Sequence, residues 1–329
     1  MTIGTRINNL TLAQLWAELE ATKLPRRLFE LALLEDCPDV DLTTAALPEE
    51  ARAQAIRVDA RLRQPATVAG LAALPQLADV FGLTPHNSSI TLNANDGAQA
   101  AAGDTLFTIE ASAEHALRLE RTMLNLISRM CGVATRTRAF VDAAVAGGAA
   151  KVCETRKTTP GLRVLEKYAV RCGGGWLHRM SLSDAVLIKD NHIAAAIAAP
   201  AGTAASTTPI PEATITALVR DADQRWRRTL GPDGFLQVEV DTLEQLDQVL
   251  SHAADVTDIV LLDNMTSEQL RQAIKLRNDR APSILLEASG NVSLETIAAI
   301  AATGVDRISV GGLTHQATSI DIGLDAADT

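Results

Sequence analysis

The sequence is poor in aromatic side chains, which make up 3% of its 329 residues, although hydrophobic residues make up 47%. A large core with few aromatic rings has to be packed from Ala, Leu, Ile and Val. Such a composition favours helices packed on buried parallel strands over an antiparallel sandwich. The length is sufficient for two domains or for one large α/β unit.

Cationic residues are also scarce, because 30 Lys and Arg against 40 Asp and Glu give a net charge of −10. A surface that binds nucleic acid or a membrane needs an excess of Lys and Arg, so we expect neither as a partner. No uninterrupted apolar run reaches the length of about 18 residues that a membrane span requires. The first residues lack the basic and apolar regions of a signal peptide. We therefore expect a soluble cytoplasmic protein.

Cysteine is limited to Cys37, Cys131, Cys153 and Cys172, and no pair has CxxC spacing. This pattern is not typical of a disulfide framework or of a zinc site. We interpret the four residues as thiols of a reducing compartment.

The pattern along the first part of the chain predicts a mixed α/β domain over 1–120. Apolar spacing of three and four residues predicts helices within 11–36 and over about 115–147. Between them, 51–110 contains short alternating segments broken by Gly, Pro and Asn-Asp-Gly, which is typical of a sheet with turns.

The second part alternates short apolar runs with amphipathic helices, which predicts parallel strands in βα units. Six units in about 170 residues indicate a barrel or near-barrel over 121–315, followed by a C-terminal tail at 316–329. Residues 194–211 are rich in Ala, Thr and Pro and are interpreted as an inserted, mobile surface loop. The predicted strands are 150–156, 184–192, 235–241, 258–264, 283–290 and 306–312.

Polar residues stand where each predicted strand ends. In a barrel of parallel strands the reacting groups lie at these carboxyl ends, and a buried strand that finishes in a charge needs a partner or a ligand there. One such end means little, but all of the predicted strands share the feature. The residues concerned are Glu154, Arg156, Lys157, Lys189, Asp190, His192, Glu239, Asp241, Asp263, Asn264, Glu287, Ser289, Gly311 and Gly312.

Local charge is a second signal. The segment 151–192 contains eight Lys or Arg and four Asp or Glu, so it carries +4 in a chain of −10. It includes His178 and Arg179 after three glycines at 173–175. Glycine lets backbone amides approach a ligand, and Arg binds carboxylates with two parallel hydrogen bonds. A solvated basic face is the alternative; because the run lacks helical charge periodicity, we favour a site for small anions.

Acidic and small residues at the strand ends supply two further signals. Glu239 and Asp263 end neighbouring strands and can hold Mg²⁺ or accept hydrogen bonds from ribose hydroxyls; structural salt bridges are about as plausible. After the last two strands, 288–291 and 310–313 are rich in small residues, which is typical of the phosphate site of a barrel. Together the signals predict a phosphorylated ribose, a metal-bound anionic leaving group and an acidic second substrate.

A series of segments recurs in a fixed order between about residue 35 and residue 315: EDCPDVDLTT (35–44), ERTMLNLISRMCGVAT (120–135), TRKTTPGLR (155–163), KYAVRCGGG (167–175), HR (178–179), LIKDNH (187–192), VEVDTLEQ (238–245), LLDNM (261–265) and EASGN (287–291). In this order they resemble quinolinate phosphoribosyltransferase, the decarboxylating nicotinate-nucleotide pyrophosphorylase of NAD synthesis. The resemblance is more specific than any single motif.

The resemblance implies an N-terminal α/β sandwich domain followed by an incomplete parallel α/β barrel of about seven strands. It implies transfer of phosphoribosyl from 5-phosphoribosyl 1-pyrophosphate to quinolinate, with Mg²⁺, giving nicotinate mononucleotide, CO₂ and pyrophosphate. It also implies a homodimer with shared active sites, in which Arg121 reaches the partner's site.

The same resemblance assigns roles to individual residues. Arg121, Arg156, His178, Arg179 and Lys189 are expected around quinolinate, and Lys157, Lys189, Glu239 and Asp263 are the expected catalytic residues. Glu239 and Asp263 are also expected to hold the metal. The phosphoribosyl and phosphate groups are expected at Lys157, Ser289, Gly290, Asn291, Gly311, Gly312 and His315.

The segment GGGWLHRMSLSD departs from the family pattern at Leu177, where Asn is expected, and at Ser181, where Gly is usual. Within the same fold, the alternatives are a nicotinate-type enzyme or a molybdenum-associated paralogue. A different class of function is a non-catalytic anion-binding barrel protein, since a fold does not prove an activity.

Overall fold

The computed structural model describes residues 6–197, 212–231 and 234–327. Helices in these ranges are α1 Arg6–Asn9, α2 Leu12–Ala21, α3 Leu24–Asp36, α4 Leu42–Ala45, α5 Glu49–Ala53, α6 Leu74–Val80, α7 Ala113–Gly147, α8 Arg163–Cys172, α9 Asp190–Ile197, α10 Glu212–Trp226, α11 Leu243–His252, α12 Ser267–Arg280, α13 Ile297–Ala301 and α14 Gly312–His315. Strands are β1 Ala55–Leu62, β2 Ala66–Thr67, β3 Ser89–Leu92, β4 Gln99–Ala100, β5 Thr105–Ser112, β6 Lys151–Cys153, β7 Val186–Ile188, β8 Leu236–Val240, β9 Ile259–Asp263, β10 Leu285–Ser289, β11 Arg307–Ser309 and β12 Ile322–Ala326.

The chain forms two compact units whose segments interleave along the sequence. The parallel-sheet unit comprises Met1–Asn9, Ala139–Arg156 and Trp176–Gly311. The antiparallel-sheet unit comprises Leu10–Arg138, Lys157–Gly175 and Gly312–Thr329. This division differs from the continuous segments 1–120 and 121–315 of the sequence analysis, because α7 runs through position 120 without a break.

In the parallel-sheet unit, the six strands follow the order β6-β11-β10-β9-β8-β7 and all pair in parallel. The first strand of the series thus lies beside the last, as in a barrel. An isolated parallel bridge joins Trp176 to Cys153 on the free side of β6. The strands therefore make an incomplete α/β barrel, which is open between Trp176 and β7. The predicted fold class is therefore confirmed, with six strands and one bridge in the described residues.

Short loops connect these strands to their helices. After β8, the Thr242 side chain caps α11 by accepting from Gln245 N, and the Gln245 side chain accepts a hydrogen bond from the backbone N–H of Thr242. Thr266 and Gln269 form the same capping box after β9 and at the start of α12. Each box satisfies backbone N–H groups that the first turn of a helix leaves without partners. The strand ends are thereby held close to helix N-termini.

The antiparallel-sheet unit contains a four-stranded sheet of order β12-β1-β5-β3, whose pairs are antiparallel. Its edge strand β12 lies within 316–329, the segment predicted from the sequence to be a C-terminal tail. Residues 322–326 pair with 58–62 of β1, from which they are far removed in sequence. Sequence periodicity alone does not reveal a pairing of this kind.

The predicted loop at 194–211 begins inside α9, which continues to Ile197, so its first residues are helical. The rest of that prediction lies outside the described residues. None of the helices in the described ranges combines the length and the apolar character that crossing a membrane requires.

Candidate active site

The register of the parallel sheet places polar residues on one face. Leu261 of β9 pairs with both Glu239 and Glu287, and Glu287 pairs with Arg307. Because side chains alternate along a strand, residues two positions further on point to the same side. Asp263, Ser289 and Ser309 are therefore on that face as well, nearer to the carboxyl ends.

Four acids at the carboxyl ends, Glu239, Asp241, Asp263 and Asp190, form a carboxylate cluster in which Lys189 is ion-paired with Glu239. Burial raises the pKa of Glu239; Lys189 opposes this effect, whereas Asp263 and Asp190 add to it. Burial also raises the pKa of Asp241, and the same two aspartates act in the same direction. Each proton bound to a carboxylate relieves repulsion among the others. A positive charge held near the cluster would do the same.

Asp263 is held by a chain of amide side chains. Asn264 Nδ2 donates to Asp263 Oδ2 at 2.6 Å, and Asn291 Nδ2 donates to Asn264 Oδ1 at 3.2 Å. Both asparagines have left-handed backbones, with φ of 52° and 50°, which Asn tolerates better than most residues. The structure thus brings the predicted residues Ser289, Gly290 and Asn291 next to Asp263, since Asn264 N donates to Ser289 O at 2.9 Å.

We expect Gly290→Ala to destabilise the parallel-sheet unit and to reduce activity. Gly290 has φ of +90°, and a Cβ there would lie 2.1 Å from Asn264 Oδ1. Gly304→Ala is a matched control, because Gly304 has φ of +93° but its nearest atom would be Ile274 Cδ1 at 3.8 Å. The control should cost about 1–2 kcal/mol for the left-handed backbone, and Gly290→Ala should cost more. Equal losses in urea unfolding would show that the Asn264 contact has no effect.

Arg156 and Arg179 form a guanidinium pair in the parallel-sheet unit. Burial lowers the pKa of Arg179, the charge of Arg156 lowers it further, and Asp184 acts in the opposite direction. Arg179 Nη1 donates to Ala185 O at 3.2 Å. Arg156 Nε is buried and has no hydrogen-bond partner within the described ranges. Two partly desolvated like charges repel each other, and an anion between them would remove that cost.

His178 is buried, with 8% of its surface exposed. Its backbone N–H donates to Glu154 Oε1 at 2.8 Å, and its Nδ1 accepts from the backbone N–H of Arg179 at 2.8 Å. Its Nε2 lies 2.9 Å from Gln237 Oε1 and 3.4 Å from Glu287 Oε1. The imidazole is thereby fixed by protein groups immediately before Arg179.

Glu287 forms a buried ion pair with Arg307, with 2.9 Å between Oε2 and Nε. Burial by itself would raise the pKa of the Glu287 carboxyl, but the Arg307 guanidinium and the contacts with His178 and Ser309 together outweigh burial and hold that pKa well below its ordinary range. Ser309 Oγ also donates to Glu287 Oε1. Neither Arg307 nor Gln237 was predicted from the sequence as a site residue; a charge at the first position of an apolar strand was the available signal for Arg307.

The two departures from the family pattern are accommodated locally. Leu177 is buried, and its backbone N–H and C=O pair with the side chain of Asn8 at 2.6 and 3.0 Å. The backbone N–H of Ser181 donates to Asp184 Oδ2 at 2.8 Å. A cavity of about 340 Å³, lined in part by Leu177, Arg179 and Phe235, lies where β7 and β8 begin.

In the antiparallel-sheet unit, the predicted phosphate-binding residue Lys157 lies beside α14, the helix that contains Gly312 and His315. Thr314 Oγ1 donates to Lys157 O at 2.7 Å. His315 is exposed. Sequence motifs separated by more than 150 residues are therefore brought together within this unit.

Arg129 and Glu166 form an ion pair that also contacts Thr314 and Thr159, and this pair is called the hub. Arg129 Nη2 is 2.7 Å from Glu166 Oε1 and also donates to Thr314 O at 2.7 Å. Glu166 accepts from Thr159 N at 3.0 Å and from Thr159 Oγ1 at 2.8 Å. The hub thus fixes the segment after Lys157 and the helix α14 at once. Neither residue was predicted, because nothing in the local sequence distinguishes them from helical surface charges.

Arg121 lies on α7 with 67% of its side chain exposed, and Glu120 is 4.0 Å away. Lys189, Glu239, Asp263, Ser289, Gly290 and Asn291 are grouped at the strand ends of the parallel-sheet unit. Gly311 belongs to the same unit and follows β11.

Comparison with known families matches most of the chain. Residues 41–131 match the family described as Quinolinate phosphoribosyl transferase, N-terminal domain, and residues 133–325 match its C-terminal domain. The chain is 45% identical over 264 residues to the nicotinate-nucleotide pyrophosphorylase (carboxylating) of Mycobacterium leprae, covering 80% of this chain and 84% of the relative. It is 35% identical over 300 residues to the probable enzyme of the same name from Bacillus subtilis, covering 91% and 92%.

Solved structures give the same result. The nicotinate-nucleotide pyrophosphorylase from Francisella tularensis superposes with a TM-score of 0.76 at 31% identity, covering 92% of this chain and 96% of that one. NadC from Streptococcus pyogenes superposes with a TM-score of 0.73 at 32% identity, covering 96% and 97%. Human nicotinic acid phosphoribosyltransferase, at 17% identity and a TM-score of 0.55, shares the fold alone.

Proposed function

This chain belongs to the quinolinate phosphoribosyltransferase family, and from that premise we propose how its residues perform the family's reaction. The enzyme transfers phosphoribosyl from 5-phosphoribosyl 1-pyrophosphate to quinolinate, releasing pyrophosphate and CO₂ and forming nicotinate mononucleotide. The observation that carries the assignment of roles is the pairing of a carboxylate cluster with a guanidinium pair in one unit. The carboxylate cluster can stabilise a developing cation, and the guanidinium pair can bind a dianion.

The carboxylate cluster is proposed to act on the ribose. As pyrophosphate leaves, ribose C1 acquires oxocarbenium character, and fixed carboxylates nearby stabilise it without reorganising. Glu239 and Asp263 are assigned this role, and Lys189 opposes the rise in the pKa of Glu239 that burial causes. Asn264 holds the Asp263 carboxylate in one orientation.

Mg²⁺ is proposed at the same two carboxylates. Within the described ranges, no group of three or more His, Cys, Asp or Glu side chains is arranged to hold a metal ion. Mg²⁺ usually keeps several waters and binds through one or two carboxylates plus substrate phosphates, and Glu239 with Asp263 fits that mode. When bound, the ion would neutralise charge on the departing pyrophosphate.

The guanidinium pair, with Lys189, is proposed to bind the two carboxylates of quinolinate. His178 is proposed to line the same binding site. Arg forks fix a carboxylate in orientation as well as in position. Holding the ring so that its nitrogen faces C1 makes the attack effectively intramolecular. The positive charge on the alkylated nitrogen then makes loss of the adjacent carboxylate as CO₂ easy. Nothing in this scheme requires a covalent intermediate on Lys189.

Small and cationic residues are proposed to bind the phosphate groups of the donor. The hydrogen bond from Thr314 to the Lys157 carbonyl supports a joint role for Lys157 and α14. Left-handed backbone at Gly290 and Asn291 supports close approach of a ligand to the chain there. The proposed phosphate ligands are Lys157, Ser289, Gly290, Asn291, Gly311, Gly312 and His315.

The assignment is tested by pyrophosphate release from 5-phosphoribosyl 1-pyrophosphate and Mg²⁺, with quinolinate and with nicotinate in parallel. Release with quinolinate, together with CO₂ and nicotinate mononucleotide, is expected. Release with nicotinate alone would move the enzyme to the monocarboxylate reaction. Tight ligand binding without release in either case would support a non-catalytic protein.

We expect Arg156→Ala to raise KM for quinolinate by about tenfold or more, since a charged hydrogen bond contributes about 1.5–3 kcal/mol. KM for the phosphoribosyl donor should change by less than about twofold. Arg271→Ala is the matched control, because Arg271 is exposed on α12 and is ion-paired with Glu268 of the same helix at 3.6 Å. Equal weakening of both substrates by Arg156→Ala would contradict its assigned role.

A homodimer with shared active sites is proposed, and an apolar face on α3 supports it. Leu24, Leu31 and Leu34 share one side of this helix, and their exposed fractions are 53%, 62% and 62%. Large aliphatic side chains grouped on a surface mark a contact region.

A cytoplasmic location is also proposed for the protein. Cys37, Cys131, Cys153 and Cys172 are free thiols, which agrees with a reducing compartment.

Replacing Leu31 and Leu34 together by Glu is expected to convert the dimer to monomer by placing charges in an apolar contact. Sedimentation velocity at micromolar concentration measures the change. Val145→Glu is the control, since Val145 is 67% exposed on α7. A double variant that keeps the mass of a dimer would place the subunit contact elsewhere.

A further inference from the structure

The hydrogen bonds of His178 indicate its tautomer. Nδ1 lies 2.8 Å from the backbone nitrogen of Arg179, which always carries a hydrogen. An Nδ1 that accepts this hydrogen bond has no proton of its own. The imidazole therefore carries a proton on Nε2.

Two acceptors face the Nε2 proton. Gln237 Oε1 is 2.9 Å away and Glu287 Oε1 is 3.4 Å away. Glu287 is kept anionic by its ion pair with Arg307 at 2.9 Å, so it cannot donate a proton to the ring. The ring is also packed edge-on against Phe235, with 5.3 Å between centroids. The imidazole is thus fixed both in its tautomer and in its plane.

The groups around the His178 ring lie in the buried part of the sheet, where removing a polar group from water costs free energy. Gln237 and Glu287 have no exposed surface, and Arg307 is 3% exposed. An apolar set of similar volume would often be as stable as a buried ion pair. Stability therefore gives no reason for these residues, whereas the control of His178 does.

We propose that Gln237, Glu287 and Arg307 are positioning residues: they hold His178 as the Nε2-protonated tautomer, whose Nδ1 then fixes the backbone of Arg179 and aims its guanidinium beside Arg156. Reversal of the tautomer would put a hydrogen on Nδ1 against the hydrogen of Arg179 N and displace Arg179. The effect on the acidic substrate rests on the proposed function, but the tautomer does not.

The first test is ¹⁵N NMR of the full-length protein labelled at histidine, without substrates. A His178→Gln sample identifies the signals of His178 among those of the six histidines of the chain. We expect a protonated Nε2 and an unprotonated Nδ1. A proton on Nδ1, or on both nitrogens at neutral pH, would overturn the proposal whatever the activity of the enzyme.

The second test compares Gln237→Met and Gln272→Met. Gln237→Met removes the nearer acceptor without leaving a charge unpaired, and should raise KM for quinolinate about five- to tenfold, with KM for the donor changed less than about twofold. Gln272→Met is the matched control: Gln272 is exposed on α12, where its Nε2 donates to Glu268 Oε1 at 3.1 Å, and the substitution should leave both KM values and the ¹⁵N pattern unchanged. A Gln237→Met protein with unchanged KM for quinolinate would refute the link to Arg179. Wild-type protein that does not turn over quinolinate would refute the proposed function alone.

Discussion

Lys189→Ala is expected to lower kcat/KM by about 10²- to 10³-fold, the usual loss when one fixed electrostatic group is removed from an active site. Lys189 is ion-paired with Glu239, and it opposes the effect of burial, Asp263 and Asp190 on the pKa of that carboxyl. Without the ammonium group, Glu239 retains its proton to higher pH and loses the negative charge that the ribose cation needs. The acidic substrate also loses one cationic contact.

The residual activity of Lys189→Ala should therefore rise with pH more steeply than that of the wild type, because Glu239 has to ionise without help. Lys275→Ala is the matched control, since Lys275 is exposed on α12. Turnover that stays within threefold of the wild type would contradict the assignment of Lys189.

A mixture of the Arg121→Ala variant with the Lys189→Ala variant tests whether the two subunits share their active sites. If Arg121 acts in the partner's site, a hybrid dimer has one site with both substitutions and one intact site. Random mixing gives hybrids in half of the dimers, so about a quarter of the wild-type activity should return. Activity of an unfolded and refolded equimolar mixture, compared with each variant treated alone, measures the recovery. No recovery would place Arg121 and Lys189 in the same subunit's site.

Arg129→Met should produce the largest loss of stability, about 3–5 kcal/mol, because it leaves the buried carboxylate of Glu166 without its cation. Glu166 has 1% of its side chain exposed and Arg129 has 20%. The substitution also removes the donor to Thr314 O. Urea unfolding measures the free energy change, and KM for the phosphoribosyl donor should rise because the hub supports Lys157 and α14.

The comparison variant is Arg26→Met. Arg26 is ion-paired with Glu30 at 3.0 Å and Asp79 at 2.9 Å, but about half of each side chain is exposed. Exposed pairs contribute little to stability, so its unfolding midpoint should stay near that of the wild type. Similar midpoints for both variants would show that burial of Glu166 does not matter.

Local patterns were sufficient for the elements themselves. The helix over about 115–147 was predicted from its apolar period, and the structure has α7 at Ala113–Gly147. The parallel strands were predicted from short apolar runs that end in charge, and each is present. Both patterns follow from which face of an element is buried, and burial leaves a period in the sequence.

Pairings between distant segments were not accessible in this way. Strand β12 belongs to the sheet of β1, although 316–329 has the composition of a tail. The start of the proposed loop at 194 is helical, because residues 194–197 continue α9. Long-range pairing depends on which surfaces meet after collapse, and that information is not held in any one segment.

The sequence by itself determined the fold class, the family and the set of charged residues at the strand ends, because motifs and strand periods are local properties of the chain. The tertiary structure decided how these residues are supported. Gln237 reaches His178 and Arg307 reaches Glu287 only because β8, β9, β10 and β11 lie in one sheet, and Arg129 reaches Thr314 only because the chain returns after 185 residues. Support of this kind comes from contacts across strands and helices, which leave no spacing in the sequence.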